Sequence, residues 1–394
     1  MTITNEFAWP KGFYTDGVQA GLRDKNDMGW LVSSVPAAAA GTYTTSQFVA
    51  APTKLCKQLI STNHRLQAIV MNSVVANSCT GQLGWDNALS EQAQVAEKLE
   101  IEPDLVGVAS TGLIGAQLPM AKIHAGIDAL ALKQDTGVTT AVMTTDTHAK
   151  IASAKLVIDH KPVTITGFAK GSGMIHPKMA TMLGFVFTDA NISGLQLQGL
   201  LSQGVDETFN QITVDGDTST NDMVTVMANG LADNQLLTAK HPDYEAFAQA
   251  FNEVLAALAQ GIAADGEGAT KLVEVNVHHA LNRQQGQHAA KAIVGSNLVK
   301  AAIFGEDPNW GRIISALGQT DVAIDVDHVA ITLNGYQLVA DSLELPFDED
   351  AVKKAMGAKK IVIDVDINAG DATGQAWGCD LTYNYVKINA SYRS

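Results

Sequence analysis

Apolar runs of strand length alternate with longer helical patterns along the whole chain, and this interspersion indicates a mixed α and β fold. The predicted strands are runs that are continuously apolar or that alternate between apolar and polar residues. They lie at 105–110, 155–169, 181–187, 271–277, 329–340 and 359–367. Two of these runs contain a hairpin: one turns near His160-Lys161-Pro162, and the other turns at Asn334-Gly335, a pair that favours tight turns.

Three segments have the periodicity of amphipathic helices. We predict helices at 86–100, with Asp86 as the N-terminal cap, at 193–209 and at 243–264. The chain of 394 residues is long enough for two domains, or for one large domain with a smaller partner. A domain seam is indicated near residues 282–287, where polar residues interrupt the pattern.

Charge and cysteine content restrict the partners and the compartment. The chain has 41 acidic and 26 basic residues and a net charge of −15, which repels nucleic acid and anionic membranes. No apolar run reaches the length of a membrane span, and the N-terminus does not have the pattern of a secretory signal. Three widely spaced cysteines are typical of reduced thiols in the cytoplasm. We therefore expect a cytoplasmic protein whose partners are small molecules and copies of itself.

Motifs for metals and nucleotide cofactors do not fit this sequence. His278 and His279 are adjacent, so in a strand they point to opposite faces, and the usual zinc spacings do not occur. The segment 215–222 resembles the start of a calcium loop, but Thr220 and Val226 stand where that loop needs glycine and glutamate. The glycine-containing segments 170–173 and 370–378 match neither the phosphate-binding P-loop nor the glycine fingerprint of dinucleotide-binding proteins. The sequence predicts no metal and no cofactor.

One hydroxyl stands at the start of a predicted buried strand. Thr181 follows a loop of small and turn-forming residues and precedes the apolar run that ends at Phe187. Taken alone, such a threonine is usually a strand-edge residue, because an unactivated hydroxyl is a poor nucleophile. Cleavage of the Ala180–Thr181 bond would change this, since Thr181 would then have its own α-amine, whose pKa of roughly 7.7–8.0 suits a base near neutral pH.

The residues around Thr181 also carry a family resemblance. The segment KGSGMIHPKMATML (170–183) resembles the cleavage site of the ornithine acetyltransferase family, also called bifunctional glutamate N-acetyltransferase, of arginine biosynthesis. The likeness covers essentially the whole chain, because further family motifs follow in family order. They are NSCTG (77–81), ASTGLIGAQLPM (109–120), VMTTDT (142–147), DGDTSTND (215–222), AADGEGATK (263–271), EDPNWGR (306–312), GCDLT (378–382) and VKINASYRS (386–394).

The resemblance implies an architecture and a reaction. It implies an α+β fold of facing β-sheets flanked by helices, an αββα-like self-cleaving fold, with a smaller C-terminal α+β domain at about 282–394. Self-cleavage would leave an alpha chain, 1–180, and a beta chain, 181–394, assembled as a heterotetramer of two copies of each. The enzyme would move acetyl from N-acetylornithine to glutamate through an acetyl-Thr181 intermediate, without a cofactor.

The resemblance also implies roles for individual residues. Thr181 is the nucleophile, and Thr111 and Gly112 form the oxyanion hole. Substrate contacts fall on Thr144, Lys170, Thr181, Glu267, Asn389 and the terminal Ser394, where the family usually ends in threonine. Without the family, Thr111-Gly112 would be interpreted as a turn, and Lys170 and Glu267 as solvated loop charges.

Three points stay open at this level. An amidase or aminopeptidase could use the same nucleophile but deliver the acyl group to water. A binding protein without enzymatic activity is the second alternative, but it would have no reason to keep a self-cleaving site. The segments DGEGATK (265–271) and INASYRS (388–394), which resemble the acetyltransferases, argue against the hydrolases. The sequence does not decide whether acetyl-CoA is a second acetyl donor.

Overall fold

The computed structural model describes residues 2–176 and 182–391. Within these ranges, nine strands form a first sheet and six form a second. The first sheet contains β1 Ile3–Thr4, β2 Phe13–Val18, β3 Met28–Tyr43, β4 Arg65–Asn72, β5 Val106–Ser110, β6 Lys150–Ile158, β7 Lys161–Lys170, β8 Leu183–Thr188 and β9 Met223–Ala228. The second contains β10 Leu272–Ala280, β11 Ala330–Leu333, β12 Tyr336–Ala340, β13 Leu343–Glu344, β14 Lys360–Asp366 and β15 Ala372–Cys379.

Helices connect and cover these strands. They are α1 Ala51–Asn63, α2 Gly81–Leu99, α3 Met120–Ala129, α4 Gly137–Ala141, α5 Gly194–Glu207, α6 Tyr244–Ala264, α7 Arg283–Gly295, α8 Asn297–Phe304, α9 Trp310–Gly318, α10 Glu349–Met356 and α11 Tyr383–Ser391. In the described part of the chain, no helix combines the length and apolar character needed to cross a membrane.

Strand β3 joins the two halves of the first sheet. Its first half pairs with β2 and β4, and its second half pairs with β9, with a register shift between Val32 and Ala37. Side chains from both halves meet in one apolar core, so the two halves of the sheet face each other. The rings of Phe13 in β2 and Phe187 in β8 lie 5.1 Å apart across this core.

Helices cover the outer faces of both halves. Apolar residues of α5 and α6 pack on the half that contains β6 to β9, and residues of α2 and α3 pack on the half that contains β4 and β5. The order of layers is therefore helix, sheet, sheet, helix, and the predicted α+β fold with facing sheets is confirmed.

The second sheet packs with α7 to α10 around a separate apolar cluster. It begins with β10 at Leu272, upstream of the seam predicted near residue 282. The division of the chain at that seam stays a prediction.

Most of the predicted elements lie within a few residues of the observed ones. The Asn334-Gly335 turn joins β11 to β12, and the first predicted hairpin is formed by β6 and β7. The prediction that Asp86 caps the N-terminus of this helix is wrong, because α2 begins at Gly81 and Asp86 lies inside it.

Candidate active site

A single pocket brings together six of the residues that the resemblance singles out. Its lining includes Thr111, Gly112, Thr144, Lys170, Glu267 and Asn389. These residues come from the loop after β5, the loop before β6, the end of β7, the loop after α6, and α11. Met182 and Leu183, which follow the predicted cleavage bond, line the same pocket. Ala180, Thr181 and Ser394 lie outside the described residues.

Two hydrogen-bond donors of the pocket follow the carboxyl end of β5. Gly112 has a φ of +130°, and a Cβ at this position would lie 2.2 Å from the carbonyl carbon and oxygen of Val74, so only glycine fits. Neither the Thr111 hydroxyl nor the Gly112 N–H has a hydrogen-bond partner among the described residues. Both donors are therefore available to a bound oxygen, as an oxyanion hole requires.

Asn221 fixes the backbone that carries these donors. Its side-chain amide donates to the carbonyl oxygen of Ser110 at 2.8 Å and to that of Ala76 at 2.6 Å. Its Oδ1 atom accepts from the Thr220 hydroxyl at 2.6 Å. Sequence reasoning missed this role, since the segment 215–222 shows only a family motif with an incomplete calcium pattern. No local signal shows which distant carbonyl an asparagine will bind.

Strand β9, which begins two residues after Asn221, also fixes the start of β8. Strands β8 and β9 run parallel with Leu183 paired to Met223, and the Met223 N–H donates to the Met182 carbonyl at 2.9 Å. Asp222, just before Met223, is 2% exposed and lines the pocket. Its Oδ2 atom has no hydrogen-bond partner among the described residues. Burial raises the pKa of Asp222 well above its usual value, although the Lys170 charge opposes this shift.

Lys170 is a buried lysine at the end of β7. Its Nζ atom lies 3.5 Å from the Thr144 hydroxyl, and the residue is 8% exposed. Burial lowers the pKa of Lys170, while the carboxyl groups of Asp146, Asp222 and Glu267 counteract this effect. The interpretation of Lys170 as a solvated loop charge, which the residues alone would favour, is therefore wrong.

Glu267 and Asn389, which lie 122 positions apart in the sequence, are in direct contact at the pocket. The Asn389 side-chain amide donates to Glu267 Oε2 at 2.7 Å, and the Glu267 N–H donates to the Ser172 carbonyl at 2.9 Å. A Cβ on Gly173 would lie 2.4 Å from the Glu267 carboxyl carbon, so this glycine makes room for the carboxylate. The pocket thus combines two donors without partners among the described residues, the amino group of Lys170 and the carboxyl groups of Asp222 and Glu267, which suits a small molecule with charged ends.

Two curated relatives match this chain from end to end. The arginine biosynthesis bifunctional protein ArgJ of Lactiplantibacillus plantarum is 63% identical over 392 residues, which are 99% of this chain and 98% of that protein. The protein of the same name from Listeria monocytogenes serotype 4b is 51% identical over 397 residues, which cover 100% of this chain and 99% of that protein. A profile of the ArgJ family matches residues 14–394.

The chain belongs to the ArgJ family. The family named from the sequence motifs is therefore confirmed. Among solved structures, the ArgJ crystal structure from Bacillus halodurans is 51% identical, with a TM-score of 0.53. That chain is covered over 100% of its length and matches 54% of this one. The roles of individual residues in this ArgJ family member remain predictions, although the described ones share a pocket.

Proposed function

We propose that this protein is a glutamate N-acetyltransferase that moves acetyl from N2-acetyl-L-ornithine to L-glutamate, giving L-ornithine and N-acetyl-L-glutamate in arginine biosynthesis. The observation that carries the proposal is the pocket itself. Thr111 and Gly112, whose donors have no partner among the described residues, line it together with Lys170, Glu267 and Met182, the residue that follows Thr181. The relatives' designation as arginine biosynthesis bifunctional proteins supports the pathway.

Maturation comes first in this proposal. The Thr181 hydroxyl attacks the Ala180 carbonyl, and the peptide C–N bond breaks as the acyl group moves to oxygen. Water then hydrolyses the ester, which releases the Ala180 carboxylate and leaves Thr181 with a free amine. The fully matched Bacillus halodurans chain corresponds to 54% of this chain, and residues 181–394 make up the same share of the sequence. That agreement in length supports a second chain of the size that cleavage before Thr181 would give.

Acetyl transfer then uses the mature Thr181. Its α-amine accepts the hydroxyl proton while Oγ attacks the acetyl carbonyl of acetylornithine. The Thr111 hydroxyl and the Gly112 N–H donate to the oxygen that becomes negative. The amide C–N bond breaks, ornithine leaves with the proton from the α-amine, and acetyl remains on Thr181. The amine of glutamate attacks this ester, and its proton returns to Thr181 Oγ as N-acetylglutamate leaves.

Substrate recognition must suit two side chains of opposite charge. Both substrates have an α-carboxylate, and Lys170 is the cation that we assign to a substrate carboxylate. Glu267 would then favour the ornithine ammonium group, with Asn389 holding the Glu267 carboxyl group in place. Thr144 and Ser394 would complete the substrate site.

Three finer features belong to the same proposal. We assign the enzyme to the cytoplasm, a choice that the three free cysteines support, and to a heterotetramer of two alpha and two beta chains. Acetyl-CoA is proposed as a second acetyl donor to the same threonine. Size-exclusion chromatography with light scattering tests the assembly, and acetylation of glutamate by acetyl-CoA tests the donor.

The deciding experiment measures the two half-reactions separately. Purified protein should exchange labelled ornithine into acetylornithine without glutamate, and initial rates with both substrates should give the parallel double-reciprocal lines of ping-pong kinetics. An amidase would instead release ornithine and acetate with no requirement for glutamate. Absence of acetylglutamate formation by fully cleaved protein would overturn the proposal.

A further inference from the structure

A buried ion-pair network lies directly behind the pocket. Lys150, at the start of β6, is 3% exposed and donates to Asp146 Oδ1 and to Asp265 Oδ2, each at 2.5 Å. None of these three residues belongs to the described lining of the pocket. Because removing one partner of a buried pair leaves an uncompensated charge, at a cost of several kcal/mol, the three side chains hold one another in place.

Asp146 binds the backbone of two segments that line the pocket. Its Oδ2 atom accepts from the Thr144 N–H at 2.9 Å, and its Oδ1 atom accepts from the Gly171 N–H at 2.6 Å. Gly171 directly follows Lys170. One carboxylate therefore fixes the position of Thr144 relative to Lys170.

Asp265 ties a third segment to the same network. It accepts from the Thr147 N–H at 3.0 Å and from the Thr147 hydroxyl, and it lies two residues before Glu267. The loop after β7 is bound to Glu267 as well, through the Ser172 carbonyl. Through Lys150, the segments that present Thr144, Lys170 and Glu267 are connected in one buried arrangement.

Asp146 also affects the protonation of Lys170, because its carboxylate is one of the charges around that residue. The titratable groups that face Lys170 are the carboxyl groups of Asp146, Asp222 and Glu267 and the ammonium group of Lys150. Burial disfavours the ionised form of Asp146, but the charges of Lys150 and Lys170 outweigh it and hold the Asp146 pKa at about 2. Burial has the opposite result at Asp222, whose pKa is raised well above its usual value. Asp146 is therefore ionised at neutral pH, and its charge favours the ammonium form of Lys170.

We propose that Asp146 is the positioning residue of the pocket: it fixes Lys170 beside Thr144 and presents its carboxylate to Lys170, while Lys150 and Asp265 bind Glu267 into the same arrangement. Asp146 acts through Lys170 and does not touch the substrate. The inference rests on the proposed function in one respect, namely that Lys170 binds a substrate carboxylate.

The first test needs no enzymatic activity. Lysine labelled with ¹³C at Cε allows the protonation of Lys170 to be followed by NMR across a pH titration, and Lys170→Arg identifies its signal. In Asp146→Asn, Lys170 should lose its proton at lower pH than in the wild type. The matched control Asp265→Asn removes a carboxylate from the same network that does not face Lys170, and should shift the Lys170 titration less than Asp146→Asn does. An unchanged Lys170 titration in Asp146→Asn would overturn the proposal.

Kinetics supply the second test. In Asp146→Asn, the KM for glutamate and for acetylornithine should rise roughly tenfold, the effect of losing one well-placed charge-assisted hydrogen bond, with kcat changing much less. The rise should grow with pH as Lys170 loses its proton. Loss of kcat with KM unchanged would overturn the proposal.

A second variant covers the case in which Asp146→Asn does not fold. Asp146→Glu keeps the charge but displaces the contacts to the Thr144 and Gly171 N–H groups, so it should raise KM while Lys170 titrates as in the wild type. A wild-type KM in Asp146→Glu would show that Asp146 does not position these segments. If the wild type shows no transferase activity, the proposed function fails, and the NMR titration still decides the role of Asp146.

Discussion

The side-chain amide of Asn221 donates to the carbonyl oxygen of Ser110 at 2.8 Å, joining two residues that lie 111 positions apart in the sequence. Ser110 ends β5 and precedes Thr111, whereas Asn221 precedes β9, the parallel partner of the strand that follows Thr181. This hydrogen bond therefore sets the distance between the proposed oxyanion hole and the strand of the proposed nucleophile.

Replacing the amide of Asn221 should damage catalysis more than substrate binding. Asn221→Asp keeps the shape but turns a donor into an acceptor that faces two carbonyl oxygens, so the backbone at Thr111 should shift. We expect kcat to fall by roughly 10²-fold, comparable to the loss of one oxyanion donor, with a smaller change in KM. Steady-state kinetics provide the measurement, and a wild-type kcat would show that Asn221 does not position the oxyanion hole.

Self-cleavage should depend on Thr181. Purified wild-type protein should separate on a denaturing gel into residues 1–180 and 181–394, and Thr181→Ala should remain a single inactive chain that still folds, because it loses only a hydroxyl and a methyl group. Thr181→Ser keeps the hydroxyl and should retain partial cleavage. Mass spectrometry of the fragments locates the cut. An uncut wild-type chain with full transferase activity would refute the mechanism, since Thr181 would then have no free amine.

The oxyanion hole can be tested at both of its donors. Thr111→Val removes a hydroxyl while keeping the shape, and should lower kcat by roughly 10²–10³-fold with little change in KM. Gly112→Ala should be worse, because the added Cβ would lie 2.2 Å from the Val74 backbone and would displace the N–H. Steady-state kinetics separate the two parameters. A rise confined to KM in Thr111→Val would instead make Thr111 a substrate-binding residue.

Glu267 should discriminate between the two substrates. Glu267→Gln removes the charge that we assign to the ornithine ammonium group, so it should slow the acetylornithine half-reaction more than the glutamate half-reaction. Isotope exchange measures each half on its own. Lys170→Met serves as the comparison, because a group that binds a carboxylate common to both substrates should affect both halves. Equal losses in both halves for Glu267→Gln would contradict the assignment.

Glu91 should make the stability of the protein depend on pH. This residue of α2 is fully buried, and neither of its carboxyl oxygens has a hydrogen-bond partner among the described residues. Burial raises the pKa of Glu91 from 4.5 to about 8. Between these values the folded state holds the proton more tightly than the unfolded state, so the free energy of unfolding falls as pH rises, by up to about 1.4 kcal/mol per pH unit.

Glu91→Gln isolates this effect, because the amide resembles the neutral acid and does not ionise. The variant and the wild type should unfold at the same temperature near pH 4.5. The unfolding temperature of the variant should then exceed that of the wild type by a margin that grows with rising pH and levels off above about pH 8. Circular dichroism melts at a series of pH values measure the difference. A difference that does not vary with pH would show that Glu91 does not titrate in this range.

Local chemistry determined the parts of the fold that the sequence predicted well. The Asn334-Gly335 turn forms a hairpin because both residues readily adopt positive φ, with observed values of 46° and 85°. Strand β8 was predicted because a continuous apolar run suits a strand that is buried on both faces, and all six of its residues are buried. The family was likewise readable, since its motifs are contiguous in sequence.

Tertiary structure decided what no contiguous segment specifies. Residues 37–40 are four alanines, which favour a helix locally, yet they lie in β3 because backbone pairing with β4 and β9 outweighs that preference. Lys170 is buried rather than solvated because separate segments of the chain enclose it, among them those that present Thr144 and Glu267. The Asn221 contact with Ser110 likewise depends on strand order. Sequence therefore determined the local elements and the family, whereas burial, charge environment and long-range hydrogen bonds required the folded chain, because each depends on residues that only folding brings together.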